Sequence, residues 1–176
     1  MGKKLLIVVD YQKDFVDGSL GFSKAVELEN NIYNKIIDYK EHGNEVVFTY
    51  DTHPENYLST QEGRNLPVEH CIKGREGWEL YGRIDSLKSS EDIIFEKGTF
   101  GSLDLANYLK GKAYDSIELV GLVSNICVIS NGILAKSALP EAEIIVDAQC
   151  TASFDDSMNE KVLDVMEGLQ IRVVNR

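Results

Sequence analysis

The chain has 176 residues, enough for one domain with a sizeable core and short for two. Eighteen basic and 29 acidic residues leave a net charge of −11, spread along the chain, which argues against nucleic acid and anionic membrane surfaces as partners because both are polyanions. Three widely spaced cysteines suit a reducing compartment better than a disulfide framework, and the opening run "MGKKLLIVVD" reaches Asp10 too soon for a signal peptide or a membrane span, so a cytoplasmic location is expected.

Six apolar, β-rich runs recur along the chain: "KLLIVV" (4–9), "EVVFTY" (45–50), "DIIFE" (92–96), "SIELVG" (116–121), "EIIVD" (143–147) and "IRVVN" (171–175). Near-continuous apolar runs of this length suit strands covered on both faces. Between the first two, "AVELENNIYNKIIDYKEHG" places Val26, Ile32, Ile36, Ile37 and Tyr39 on one helical side and ends at Gly43, a C-terminal cap, with His42 in the last turn. A short helix capped by Ser102 follows the third run, and "DDSMNEKVLDVMEGL" forms another that stops at Gly168. Alternating strands and helices predict an α/β fold: a three-layer α-β-α domain over residues 1–176, with a doubly wound, mostly parallel sheet of about six strands. The connection from Asp51 to Ser90 is much longer than an ordinary loop, and connections of that length usually serve function.

Open parallel sheets bind ligands beyond the carboxyl ends of their strands. Asp10 ends the first strand, Asp51 and His53 the second and Lys97 the third, while Cys127 follows the fourth at the start of a helix. Singly, each has a plain reading: a turn-forming aspartate, a solvated lysine, a cysteine packed between Ile126 and Val128. Together at one rim they form a set. A thiol at a helix N-terminus beside an ammonium has its thiolate favoured by both positive charges. Asp10 could take the thiol proton and return it to a leaving amine. Backbone N–H groups from Val123 to Cys127 could stabilise an oxyanion, and the sum is acyl transfer through a thioester.

The segment "DTHPENYLSTQEGRNLPVEHC" supplies a second set. Asp51 and His53, two apart on an extended chain, face one way, and His70 with Glu62 completes a group of nitrogen and oxygen donors. A carboxylate with two imidazoles suits zinc, iron or manganese rather than calcium or magnesium.

With these residues in place, the chain resembles the isochorismatase-like cysteine hydrolases. "VVDYQKDF", "FEKGTF" and "GLVSNICV" look like the signature segments around Asp10, Lys97 and Cys127, and "DTHP…HC" looks like the metal loop of the nicotinamidase (pyrazinamidase) branch. The resemblance implies Cys127 as nucleophile, Asp10 as proton acceptor and donor, and Lys97 as the cation beside the thiol. It implies a non-proline cis peptide between Leu122 and Val123, with the N–H groups of Val123 and Cys127 at the oxyanion. It further implies one divalent metal ion, zinc first with iron or manganese as alternatives, on Asp51, His53, Glu62 and His70. Phe15 matches the aromatic residue that packs on the substrate ring. Many relatives carry a tryptophan and proline shortly before the histidine; here Leu66 stands nearest to that tryptophan, and the lone Trp78 lies beyond His70. The implied activity is metal-dependent hydrolysis of nicotinamide to nicotinate and ammonia in NAD salvage, by a monomer or a homo-oligomer.

The first alternative is a cysteine amidase of the same superfamily acting on another small amide or an N-carbamoyl compound, whose relatives generally lack the metal set. An isochorismatase would leave the metal ligands without a task. A phosphatase of the haloacid dehalogenase type needs a second acid where this chain has Gln12, and a phosphoacceptor receiver domain has no use for Cys127. Cys71 and Cys150 read as structural, and Asp147 as a hydrogen-bonding residue at the active rim.

Overall fold

The computed structural model describes residues 2–176. Six strands form one sheet: β1 (Lys4–Val9), β2 (Glu45–Asp51), β3 (Ile93–Lys97), β4 (Ser116–Leu122), β5 (Glu143–Ala152) and β6 (Ile171–Val174). Their spatial order is β3-β2-β1-β4-β5-β6, and every neighbouring pair runs parallel. Alternate residues of β1 feed two cores. Leu6 and Val8 pack with Ile32, Ile36 and Tyr39, while Leu5, Ile7 and Val9 pack with Leu105, Ala135 and Met166. This two-sided burial explains the unbroken apolar strands, and the expected three layers follow from it.

The helices are α1 (Lys13–Val16), α2 (Ser23–Glu27), α3 (Glu29–Glu41), α4 (Gln61–Asn65), α5 (Gly82–Leu87), α6 (Leu103–Leu109), α7 (Ile129–Ala138) and α8 (Asp156–Gly168). Short polar side chains start three of them: Thr60, Ser102 and Asp155 accept from the N–H of Gly63, Leu105 and Met158. Gly43, at φ +69°, ends α3 as its sequence position implied. Among the described residues, no helix is long and apolar enough to cross a membrane.

Two expectations change. The single helix expected from Ala25 to Gly43 is broken at Leu28, which shifts the helical phase, so Ile32, Ile36 and Tyr39 are buried while Val26 is exposed. β5 runs past Asp147 to Ala152, because two steps along β4 (Leu119 to Gly121) face five along β5 (Val146 to Thr151). Asp147 therefore sits in a bulge away from the active rim. It pairs with Lys35 at 2.7 Å and accepts from Asn175 at 2.9 Å, and Lys35 also holds the buried Glu118 at 2.7 Å. The rim at the end of β5 belongs instead to Ser153 and Phe154, which follow the strand.

Candidate active site

The strand order reverses between β1 and β4, and the crevice of a parallel sheet opens at that switch point. Asp10, Asp51 and Lys97 stand at the carboxyl ends of β1, β2 and β3, and Cys127 follows β4 across the switch point. At Asp10 the chain turns out of the sheet with φ +46°, a conformation that Asp adopts more readily than most residues. Its carboxylate is fully buried. One oxygen accepts from the Thr49 hydroxyl at 2.7 Å and the other lies 2.6 Å from Lys97 Nζ. Lys97 Nζ also donates to the Thr99 carbonyl at 3.0 Å and lies 3.4 Å from Asp51 and 3.6 Å from Cys127 Sγ. Carboxylate, ammonium and thiol are thus in mutual reach, in a region closed to solvent.

Burial raises the proton affinity of Asp10 above that of an ordinary carboxyl, with Lys97 pulling against it. Burial also opposes the Lys97 charge, but the charges of Asp10, Cys127 and Asp51 outweigh it and hold the ammonium. The thiol departs from the sequence expectation. Burial and the Asp10 charge push the Cys127 thiol well up, against the pull of Lys97. Sequence reasoning weighed the two positive influences and had no view of the desolvation. Burial thus favours the thiol over the thiolate, with the Asp10 carboxylate on the same ammonium.

Cys127 lies on a single π-helical turn, Ser124–Val128, that precedes α7. The peptide between Leu122 and Val123 is cis. The N–H groups of Ile126 and Val128, on either side of Cys127 N–H, both reach back to the Val123 carbonyl. Ser124 Oγ donates to Asn159 at 2.7 Å and Ser153 Oγ to Asn125 at 2.8 Å, so α8 and the end of β5 hold the turn from outside. Asn131, fully buried, donates to the carbonyls of Cys127 and Phe100 and accepts from Ser102 N–H, tying the Cys127 turn to the loop after β3.

Across the crevice, Asp51, His53, Glu62 and His70 present ligand atoms within 4.8 Å of one another. His53 Nε2 is 2.9 Å from Asp51 Oδ2, and His70 Nε2 is 3.3 Å from the same oxygen. His70 Nδ1 donates to the Val68 carbonyl at 2.8 Å, which fixes the ring with Nε2 turned toward Asp51 and Glu62. Burial would raise the Asp51 carboxyl, but hydrogen bonds from His53 and His70 and the Lys97 charge hold it well below the usual range. Burial and the neighbouring Asp51 charge raise Glu62. Two imidazoles and two carboxylates converging inside the protein, with a second partner orienting His70, fit one divalent transition metal.

A cavity of about 360 Å³ joins the two sets. Cys127, Asp51, Glu62 and His70 border it, and its walls are the apolar Phe15, Leu20, Leu66, Phe100, Ile126 and Phe154. Phe15 and Leu66 are therefore wall residues. Phe100 and Phe154 went unremarked in the sequence reading, although Phe100 closes the quoted segment "FEKGTF". Trp78 lines no part of the cavity: its ring packs on Tyr50 and its N–H donates to Thr52. A larger cleft of about 520 Å³ over β5, between α2, α3 and α8, has a mixed polar lining and holds none of these groups.

The fold and its rim define a doubly wound α/β protein that gathers its chemistry-bearing side chains at the switch point of a parallel sheet. The profile of the isochorismatase domain matches residues 4–175. The chain belongs to that family. A nicotinamidase of Saccharomyces cerevisiae is 27% identical, covering 98% of this chain and 100% of its own length. The crystal structure of the nicotinamidase/pyrazinamidase PncA from Bacillus subtilis is similar, with a TM-score of 0.87 and 28% identity over 97% of this chain and 98% of that one. The pyrazinamidase of Pyrococcus horikoshii in complex with zinc has a TM-score of 0.82 and 26% identity over 99% of both chains.

Proposed function

We propose that the protein is a cytoplasmic nicotinamidase that hydrolyses nicotinamide to nicotinate and ammonia in NAD salvage. The observation that carries this reading is one apolar, aromatic-walled cavity with the Cys127 thiol at one end, backed by Lys97 and Asp10, and a nitrogen and oxygen donor set at the other. The kinship with nicotinamidases and a pyrazinamidase supports it. Asp51, His53, Glu62 and His70 would hold one divalent metal ion, zinc in this reading with iron or manganese as alternatives. When bound, the ion supplies a Lewis-acid position for the pyridine nitrogen and so orients the ring.

The protein's own residues do the rest. Phe15, Leu66, Phe100 and Phe154 enclose the ring and exclude water. Cys127 Sγ attacks the carboxamide carbon as its proton passes to Asp10, and the N–H groups of Val123 and Cys127 receive the oxyanion. Asp10 then protonates the departing amine, the C–N bond breaks and ammonia leaves a thioester on Cys127. In the second half a water attacks the thioester carbon while Asp10 takes its proton. The C–S bond breaks, Asp10 returns the proton to sulfur, and nicotinate is released. Lys97 stays charged throughout and holds Asp10 in place.

An amidase for anionic N-carbamoyl compounds is disfavoured by the same cavity. Its lining contains no lysine or arginine to meet a substrate carboxylate, and nearby Lys97 is engaged with Asp10 and Asp51. Ammonia release from nicotinamide, benzamide and an N-carbamoyl amino acid, with and without chelator, tests the reading. Nicotinamide should be cleaved fastest and lose most to the chelator. Cleavage of the N-carbamoyl compound alone, or full turnover by Cys127→Ala, would refute it.

A further inference from the structure

We propose that Gln12 is a positioning residue for the metal-ligand group, acting through the backbone of Asp51. β1 pairs with β2 only as far as Val9 opposite Thr49, because the chain leaves the sheet at Asp10. The departure sets the Asp10 carboxylate beside Lys97, but it leaves the β1 side of Asp51 without a strand. The Gln12 side chain fills that gap. Its Oε1 accepts from Asp51 N–H at 2.8 Å, and its Nε2 donates to the Asp51 carbonyl at 2.9 Å and to the Trp78 carbonyl at 2.8 Å.

The primary amide thus acts as a detached peptide group, donor and acceptor at once, and only this orientation of the carboxamide satisfies all three contacts. Gln12 is fully buried, so no water replaces it. Its own backbone is fixed by an antiparallel bridge to Leu80, flanked by hydrogen bonds from Lys13 N–H to Glu79 and from Tyr81 N–H to Tyr11. Trp78, whose carbonyl it holds, donates its ring N–H to Thr52, so the residue after Asp51 is gripped from the same loop. The backbone of Asp51 is consequently held on both sides: β3 pairs with it opposite Lys97, and the Gln12 amide takes the side that β1 has vacated. Asp51 accepts from both imidazoles, so its placement sets theirs.

The inference rests on the metal reading of the Asp51 group. Gln12→Glu keeps the size and turns the donor that faces two carbonyls into an acceptor; Gln12→Leu removes both functions. Zinc affinity of the full-length protein is measured by competition with a chromophoric chelator, alongside the melting temperature of the metal-free protein. Removing a group that orients a ligand weakens metal binding by about 10- to 100-fold, and that loss is expected in both variants. A role in packing alone would lower the melting temperature and leave zinc affinity within threefold of the unsubstituted protein, and that result overturns the proposal. If Gln12→Leu does not fold, Gln12→Glu decides alone. Unsubstituted protein that takes up no zinc overturns the metal reading itself and this inference with it, an outcome visible before any substitution is made.

Discussion

Replacing Asp10 by Asn separates the chemistry of this position from its structural role. Asn accepts the left-handed backbone at φ +46° almost as readily as Asp, and its amide oxygen can keep the Thr49 hydrogen bond. Lys97 loses its 2.6 Å partner but retains Asp51 and the Thr99 carbonyl, so the stability loss should be about 1–3 kcal/mol, below the full cost of breaking a buried pair. The rate effect should be larger. A positioned general base is worth about 10²- to 10⁴-fold, or about 3–5 kcal/mol of barrier. Burial still opposes the Cys127 thiolate once the Asp10 charge is gone, and among the described residues no other carboxylate lies as close to the Lys97 ammonium beside Cys127 to take the proton. Steady-state ammonia release gives kcat and KM, and a thermal melt gives stability. A folded Asp10→Asn protein with kcat within tenfold of the parent would refute the assignment of Asp10 as the base. Asp10→Ala should melt lower still, since alanine adds about 1–2 kcal/mol of backbone cost at positive φ.

Lys35→Met should destabilise the protein by about 3–5 kcal/mol in urea titration, because it strands two buried acids, Glu118 and Asp147, that share one ammonium. Burial first, then the Asp147 charge, pushes the Cys150 thiol up to about 12 from 9.0. Above pH 9 the unfolded chain releases this proton while the folded one keeps it, so the thiol's contribution to stability is present below pH 9 and is lost as pH rises towards 12. Relative to Cys150→Ala, the parent should therefore lose up to about 1.4 kcal/mol per pH unit in that window, and parallel stability curves would contradict the reasoning. Gly121→Ala should abolish soluble folded protein or lower its melting point severely: φ is +111° there, and an added Cβ would lie 2.0 Å from the Val9 carbonyl oxygen.

The strands were legible because parallel strands buried on both faces are written as plain apolar runs, and the helix ends were legible where Ser102 and Gly43 do local work. The rim residues were readable for a topological reason. Once the strands are placed, whatever follows each of them must face the same crevice. What sequence could not carry was anything set by register or by desolvation. The bulge that removes Asp147 from the rim depends on how β4 and β5 slide past each other, and no local pattern encodes that. Beyond Phe15, the aromatic walls come from two further segments, around Phe100 and Phe154, each unremarkable alone. Gln12 was visible only as a missing acid, because its work is to satisfy a backbone gap that exists only in three dimensions.

At Cys127, burial works against the thiolate that the sequence pattern favours. Proximity of a lysine and a helix start argues for a ready thiolate, as in exposed reactive cysteines. In this site the lysine is already matched by Asp10 at 2.6 Å, and Cys127 is buried beside that pair. A free thiolate would make two anions against one ammonium in a region closed to water, which Coulomb repulsion and desolvation both oppose. The three groups are better counted together: one ammonium, and one proton shared between sulfur and carboxylate. Attack and proton transfer then have to be coupled. In the proposed mechanism, charge reaches sulfur only as a carbonyl carbon arrives to take it, and the same buried pair that opposes the resting thiolate would deliver the proton to the leaving amine. On that mechanism the site gives up general thiol reactivity and keeps Cys127 as a nucleophile for a substrate that fills the cavity.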